Sequence, residues 1–459
     1  MELSPGLLER YDRPGPRYTS YPTAIEFSEA FDASAYRDRL TSAVTDSNAA
    51  LSLYTHIPFC ESRCSFCACH VVVTKRVSVA DAYLERLESE ARTVVSLIGE
   101  GRPLVQYHWG GGTPTYYPPA TLARLHTSLT QWFEIQPGAE IAAEVDPRVT
   151  TGEHLLTMRD LGFNRLSFGV QDLDPDVQQL IGRGQTVAET VGLYETARDL
   201  GYPSINLDLV YGLPGQTETT MATTLDTIIE LRPDRLAIYS FAYVPWIRPH
   251  QRRIPESGLP DRDLKFRLLS LISQRLIAAG YLSIGMDHFA LPEDELATAA
   301  ASGTLTRNFM GYTTRGGTGV VALGSSGISD INGAYAQNHR RLADYYRSVD
   351  AGELPIERGY RLSDDDLVRR YVITELMCNG RVLYQEVLRQ FGVDFAESFV
   401  QELNTMTAPG GLVAEGMVVI RGDAIEATDL GRMFIRNVAS VFDAHTAQRA
   451  DRPTFSKTI

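Results

Sequence analysis

Between about residues 50 and 290, short apolar runs alternate with stretches whose apolar residues recur every three or four positions. The runs are LSLYTHI (51–57), LVQYHWG (104–110), AEIAAEV (139–145), NRLSFGV (164–170), SINLDLV (204–210) and RLAIYSF (235–241). Their length and their β-branched and aromatic content predict strands. The intervening segments, such as VADAYLERLESEARTVVSLI (79–98) and TLARLHTSLTQWF (121–133), predict helices. Six strand–helix units in succession imply an α/β fold on a parallel sheet, either doubly wound or curled into a barrel. Cysteines, glycines and isolated carboxylates cluster at the ends of these strands, where both architectures place their active sites.

The flanks read differently. YDRPGPRYTSYPT (11–23) is rich in Pro, Gly and Tyr and predicts an ordered arm without regular structure. Residues 292–335, rich in Gly, Ser and Thr, read as a connection. From about 362 onward two helical stretches precede a hairpin pattern and a last helix, a small mostly helical domain for which a winged-helix arrangement is one fit. The expected division is an arm (1–48), a catalytic α/β domain with a lid connection (49–335) and a C-terminal domain (336–459).

A length of 459 residues agrees with one large domain and a smaller one. The formal net charge of -14 argues against a general binder of nucleic-acid backbones. No run approaches eighteen apolar residues, and the N-terminus lacks a basic-then-apolar signal pattern, so the expected location is the cytoplasm.

Of five cysteines, four fall within HIPFCESRCSFCACH (56–70), immediately after the first strand. Cys60, Cys64 and Cys67 form C-x3-C-x2-C, and Cys69 follows. Disulfides fit poorly, since residues so close together pair with strain. Zinc needs four ligands, with Cys69, His70 or the distant Cys378 as candidates to complete the set. Thiolates are also the ligands of iron–sulfur clusters, and three of them on a four-iron cluster leave one iron open.

That spacing, with Phe66 before the last cysteine, resembles the signature of the radical S-adenosylmethionine superfamily. The resemblance implies that Cys60, Cys64 and Cys67 hold a [4Fe–4S] cluster. It also implies that S-adenosylmethionine occupies the open iron and is split by one electron into methionine and a 5′-deoxyadenosyl radical. Further segments resemble one family in particular: RYTSYPT (17–23), HIPFC (56–60), HWGGGTPT (108–115), EVDPR (144–148), FNRLSFGVQD (163–172), LDLVYGLPGQT (207–217), IGMDHFA (284–290), NFMGYTT (308–314) and FSKTI (455–459). In this order they are similar to the oxygen-independent coproporphyrinogen III dehydrogenases, over essentially the whole chain. Such enzymes oxidatively decarboxylate two propionates of coproporphyrinogen III to vinyl groups, giving protoporphyrinogen IX for heme synthesis. The implied fold is a partial (β/α)6 barrel of the TIM type with an N-terminal arm and a small C-terminal domain.

The resemblance further implies two S-adenosylmethionine molecules. Tyr54 would pack on the first, which Glu144 and Ile328 would also contact, with Gly111, Gly112 and Thr113 beside the methionine moieties. Phe66, Gln171, Arg183, Asp208 and Ala242 would contact the second. An electron donor such as flavodoxin or ferredoxin and a monomeric state are implied as well. Taken alone, the triple glycine could be an ordinary strand-to-helix turn, although its bare backbone and free N–H groups suit a close ligand. Glu144, Gln171 and Asp208, each taken alone, would read as solvated or capping residues. His56 and His70 read as structural histidines, Cys378 as core, and Cys69 as a thiol without an assigned ligand role.

Two positions depart from the family pattern: Met310 stands where it carries Gln, and Tyr243 where it has His. An apolar thioether cannot orient a polar group as an amide does. A related methyltransferase or cyclopropanase of natural-product biosynthesis, using the second cofactor as carbon donor, is therefore the alternative. A heme-binding chaperone retaining three cysteines is a third, weakened by Cys69 and the RYTSYPT arm.

Overall fold

Each of the six apolar runs is a strand in the computed structural model, which describes residues 6, 10–43 and 49–446. They are β1 (Leu51–Ile57), β2 (Arg102–Gly111), β3 (Phe133–Val145), β4 (Arg165–Gln171), β5 (Ser204–Tyr211) and β6 (Arg235–Ser240). Each pairs in parallel with the next in sequence. The connecting helices include α1 (Val77–Ile98), α2 (Pro119–Thr130), α3 (Gly152–Asp160), α4 (Pro175–Leu180), α5 (Val187–Asp199) and α6 (Glu218–Leu231). Their starts follow from local chemistry: Thr151, Thr186 and Thr217 close capping boxes, and the Asp174 carboxylate accepts from the first turn of α4.

The chain forms two compact units. One comprises Phe27–Gly280 and Gly317–Arg361, and it contains the whole parallel sheet. Here the expected Gly/Ser/Thr-rich connection is corrected. β7 (Gly319–Leu323) lies parallel to β1 on the side away from β2, and β8 (Ile328–Ile331), β9 (Ala334–Asn338) and β10 (Ile356–Arg361) continue antiparallel. GVVAL is a short, fully apolar strand whose flanking glycines masked it. Within this unit the order is β10-β9-β8-β7-β1-β2-β3-β4-β5-β6, whose first and last strands do not pair with each other, hence a partial barrel.

The other unit comprises residues up to Glu26, Tyr281–Gly316 and everything from Leu362. A helix over Asp364–Asn379, opened by a Ser363 capping box, leads to strands Arg381–Leu383, Val418–Arg421 and Ala424–Ala427 in one small sheet. The arm at 11–23 has almost no regular structure yet is firmly held. The Tyr18 hydroxyl donates to Asp443 at 2.9 Å, Arg17 pairs with Asp287 at 2.7 Å, and Arg436 donates to the Pro16 and Gly15 carbonyls. The FSKTI segment lies outside the described residues.

Strand alternation decides what the site contains. On β4, Leu166, Phe168 and Val170 are wholly buried toward the helices, while Arg165, Ser167, Gly169 and Gln171 face the other way and keep some accessibility. On β5, Ile205, Leu207 and Leu209 alternate with Ser204, Asn206 and Asp208 in the same manner.

One buried carboxylate ties α1 to the β7–β9 edge. Glu90, 3% exposed, accepts from the Tyr345 hydroxyl at 2.6 Å, the Gly324 N–H at 2.8 Å and the Asn338 amide at 2.6 Å. Burial pushes its carboxyl up to about 7, against the pull of those donors. In the unfolded chain the group ionises near 4.5. Its stabilising contribution is thus complete below that value and lost as pH rises toward 7. Between pH 5 and 8 the protein should lose about 2–3 kcal/mol through this group. Denaturant titrations at the two pH values should show that loss in the parent and not in Glu90→Gln; equal losses in both would reject the assignment.

Candidate active site

The inward phase of five strands assembles one polar surface. Across β1 and β2, Tyr54 lies opposite His108, their rings stacked with centroids 5.9 Å apart and planes 17° from parallel. His108 Nε2 is 3.7 Å from Glu144 on β3, and Glu144 stands opposite Ser167 on β4, itself opposite Asn206 on β5. Asp208 accepts from the Ser167 hydroxyl and from the Asn206 amide, each at 2.8 Å. Glu144 lies deep in the protein yet keeps 44% of its side chain accessible, which places its free surface in a hollow of the barrel.

The two carboxylates are tuned apart. Burial would raise Glu144, but the His108 bond and charge and the Gly111 N–H, at 3.0 Å, hold it below its ordinary value. Asp208 is pushed up to about 6, by burial first and then by the negative charge of Glu144, partly offset by Ser167 and Asn206.

The glycines after β2 are required by the chain itself. A Cβ on Gly110 would lie 3.0 Å from both Glu144 and Tyr54; on Gly111, at φ +123°, 2.8 Å from the His56 ring; on Gly112, 2.6 Å from the Pro58 carbonyl. The expectation of free N–H groups is corrected here. Gly111 donates to Glu144, and Gly112 donates to the Ile57 carbonyl at 2.8 Å.

The cysteine loop follows β1. Cys60 is half-buried with its Sγ 3.6 Å from the Thr113 hydroxyl, and burial pushes its thiol up to about 11. Cys64 is buried and receives both Arg148 Nη2 and Arg183 Nη1 at 3.6 Å. Cys67 is lowered to about 7, first by a hydrogen bond from Cys69 and later by the charges of Arg63 and Arg183; the same bond drives Cys69 up. The Ser65 N–H donates to the Ile181 carbonyl at 2.8 Å, and His250 Nε2 donates to the Cys67 carbonyl at 2.7 Å. Buried Gln251 donates to the carbonyls of Phe66 and Ala242, both at 3.1 Å.

This donor set fits an iron–sulfur cluster better than zinc. Among the described residues no group of three or more His, Cys, Asp or Glu side chains forms a site for a single metal ion. A cluster does not need such convergence, because each thiolate binds its own iron. Guanidinium groups beside the loop favour thiolates.

Behind Cys64, Asp146 joins the two arginines. Arg148 reaches it at 2.6 Å and Arg183 at 3.2 Å, and their positive charge holds the Asp146 carboxyl low despite burial. Arg183 also donates to the Gly169 carbonyl and to Gln185. Gln171 ends β4 in the left-handed region at φ +70°, and its amide nitrogen lies 2.9 Å from where a Gly169 Cβ would sit. Gly169 is therefore the gap that admits Gln171 and Arg183. Phe66 and Tyr243 pack on one apolar cluster of Val177, Ile181, Val210, Leu213, Phe241 and Ile254.

Ile328 opens β8, two residues from Ser326, whose hydroxyl is 3.4 Å from His56 Nε2. His56 is structural: burial lowers it to about 4, its Nε2 donates to the His70 carbonyl and its Nδ1 accepts from the Tyr54 hydroxyl. His70 keeps its Nε2 buried without a hydrogen-bond partner. Cys378 is buried on the helix Asp364–Asn379, and Met310 occupies the turn of the hairpin Thr306–Asn308/Gly311–Thr313 in the other unit.

His108, Asp146, Arg148, Ser167 and Asn206 carry this geometry and were not singled out from sequence. A signal existed for three of them. His108, Ser167 and Asn206 each sit two residues from another inward position, the period that marks a strand face.

The described architecture also matches known proteins. The radical SAM superfamily profile matches residues 54–228, and the HemN C-terminal domain profile matches residues 362–434. The chain is 40% identical to the oxygen-independent coproporphyrinogen III oxidase of Synechocystis, over 100% of this chain and 98% of that one. To the enzyme of the same name in Salmonella typhimurium it is 44% identical, over 99% and 98%. The solved structure of coproporphyrinogen III oxidase (HemN) from Escherichia coli, described as a radical SAM enzyme, superposes with TM-score 0.90 at 41% identity, over 97% of this chain and 99% of that one. The chain belongs to the oxygen-independent coproporphyrinogen III oxidase family.

Gly112→Ala should lower stability by about 1–3 kcal/mol, because its neighbours are backbone carbonyls that cannot rotate away. Gly192→Ala, on α5 with nothing within 4 Å of its Cβ, should be neutral or stabilising. Thermal unfolding of the pair tests this; equal melting temperatures would show that the glycine turn is not tightly packed.

Proposed function

We propose that this protein is a radical S-adenosylmethionine oxidoreductase that converts the two propionates of coproporphyrinogen III to vinyl groups, with loss of two CO2, giving protoporphyrinogen IX for heme synthesis. The observation that carries the reading is the cysteine loop at the C-terminal end of β1, its buried sulfur facing two arginines, in a chain alike over its full length to enzymes named for this activity. The methyltransferase or cyclopropanase alternative is not favoured, since the relatives alike over the full length are named as oxidases.

Cys60, Cys64 and Cys67 would hold a [4Fe–4S] cluster. When bound, the cluster and S-adenosylmethionine supply a carbon radical able to take hydrogen from an unactivated CH2, which no side chain does unaided. The chain's own residues bind and orient. Tyr54, Glu144 and Ile328 would line the first S-adenosylmethionine, with Gly111, Gly112 and Thr113 beside its methionine portion. Phe66, Gln171, Arg183, Asp208 and Ala242 would line a second. Asp208, held by two neutral donors, can accept from ribose hydroxyls. Arg148 and Arg183, fixed by Asp146, keep positive charge beside Cys64.

The same proposal keeps an arm at 1–48, a catalytic segment at 49–335 and a C-terminal segment at 336–459 as divisions along the sequence, which the two compact units cut across, since 281–316 falls in one unit and 336–361 in the other. The two profile matches support it by falling within the second and third of these segments. It includes a monomer, a cytoplasmic setting and an electron donor of the flavodoxin or ferredoxin kind. No described helix is long and apolar enough to cross a membrane.

Anaerobically reconstituted protein with S-adenosylmethionine, a reductant and coproporphyrinogen III should release CO2 and methionine. Cys64→Ala should fold yet lose both the visible absorbance of the cluster and cofactor cleavage. Full activity in that variant would refute the assignment of the loop, and S-adenosylhomocysteine with a methylated product would refute the reaction.

A further inference from the structure

A projection of unusual composition is fastened to the outer side of the cysteine loop. After β6 the chain runs FAYVPWIRPHQRRIP (241–255) with no acidic residue, in a protein of net charge -14. Its tip is a turn in which the Ile247 and Arg248 N–H groups donate to the Val244 carbonyl at 2.9 and 2.8 Å. Trp246 and Ile247 at this tip are 56% and 51% exposed. Arg252 and Arg253 are exposed beside them, and Arg248 is half-exposed. An exposed Trp next to an exposed Ile, with three arginines on the same short segment, is the composition of a binding hot spot.

The projection is not a loose tail. Gln251, fully buried, fixes it through the Val244 N–H at 2.6 Å and through the Phe66 carbonyl. His250 donates to the Cys67 carbonyl, and Arg253 to the Arg63 carbonyl at 3.3 Å. Three of these bonds end on the backbone between Arg63 and Cys67. The Arg253 guanidinium and the Arg63 backbone thus meet where the projection joins the loop. A body seated on Trp246 and Ile247 therefore rests on a projection bonded to the segment that carries Cys64 and Cys67, and meets the arginines of that projection.

We propose that Trp246, Ile247, Arg248, Arg252 and Arg253 form the docking surface for an acidic protein that carries single electrons. The inference rests on the function proposed above, in which the metal centre on this loop is reduced from outside. The carrier is oxidised by one electron, the centre is reduced by one, and no bond or proton moves in the docking itself. In a protein of net negative charge, a local positive patch both steers such a carrier and selects its orientation.

The probe is a purified acidic flavodoxin, tested on the reconstituted holoprotein and on the double variant Trp246→Ala/Arg252→Glu. Both positions are exposed and neither is assigned to the cofactor site, so folding and dithionite-driven cofactor cleavage should match the parent. Flavodoxin affinity by calorimetry should fall tenfold or more, its dependence on salt should flatten, and flavodoxin-driven cleavage should fall in parallel. Unchanged flavodoxin affinity in the variant, or no binding to the parent at low salt, would overturn the proposal. So would a change confined to the KM for coproporphyrinogen, which would assign the arginines to substrate carboxylates. Absence of dithionite-driven cleavage in the parent would instead count against the proposed function and leave the binding result standing by itself.

Discussion

A strand shows a given face of its sheet only at every second residue, and the site exists because β1 to β5 keep that phase in common. Tyr54, His108, Glu144, Ser167 and Asp208 come from five strands spread over more than 150 positions, yet parallel registry sets them on one surface. A slip of one residue in β5 would turn Asp208 and Asn206 toward the helices and bring Leu207 inward, which would bury two polar groups against Phe168 and its neighbours. The apolar phase prevents the slip. Leu166, Phe168, Val170, Ile205, Leu207 and Leu209 are wholly buried, and each fixes the inward partner beside it. Packing on the outside of the barrel thus determines chemistry on the inside.

The loop after β1 depends on that frame in a second way. Arg148 and Arg183 come from different connections, after β3 and after α4, and they meet on Cys64 only because Asp146 binds both. The carboxylate is costly to bury, and two guanidinium groups offset the cost. What results is a fixed positive field beside sulfur. At Cys60 burial prevails and acts against ionisation. Ligation by metal would supply there what the protein withholds, which makes deprotonation of the loop and metal binding one linked process.

Much of this was legible in the sequence, for a physical reason. Six apolar runs with flanking helices can bury their surface in few ways, and C-x3-C-x2-C limits what the loop can hold. The strand β7 was not legible. Its partner in the sheet lies more than 250 residues earlier, and a run as short as GVVAL between glycines carries no period that distinguishes strand from connection. The Gly-Gly-Gly turn was legible as a site and not as a mechanism. Its N–H groups belong to Glu144 and Ile57, and its missing side chains are filled by His56 and the 58–59 backbone. Asp146 and Arg148 stayed hidden because a charged residue after a strand reads as solvated until Arg183, 37 residues beyond Asp146, is brought against it.

The distribution of charge then gives the site its polarity. Inside the hollow stand Glu144, kept ionised by His108 and a backbone N–H, and Asp208, whose two donors are neutral and whose ionisation is opposed by Glu144. Two carboxylates in that relation are better satisfied by a positive guest than by water, because a cation relieves the repulsion that raises Asp208. Outside, on the projection bonded to the loop from Arg63 to Cys67, the sign is reversed, with Arg248, Arg252 and Arg253 close together in sequence. A sulfonium-bearing cofactor and an acidic carrier would therefore approach the same three sulfurs from surfaces of opposite charge, and neither has reason to occupy the place of the other. That separation needs no moving part, since each surface is built from residues anchored by buried hydrogen bonds: Ser167 and Asn206 on one side, Gln251 on the other.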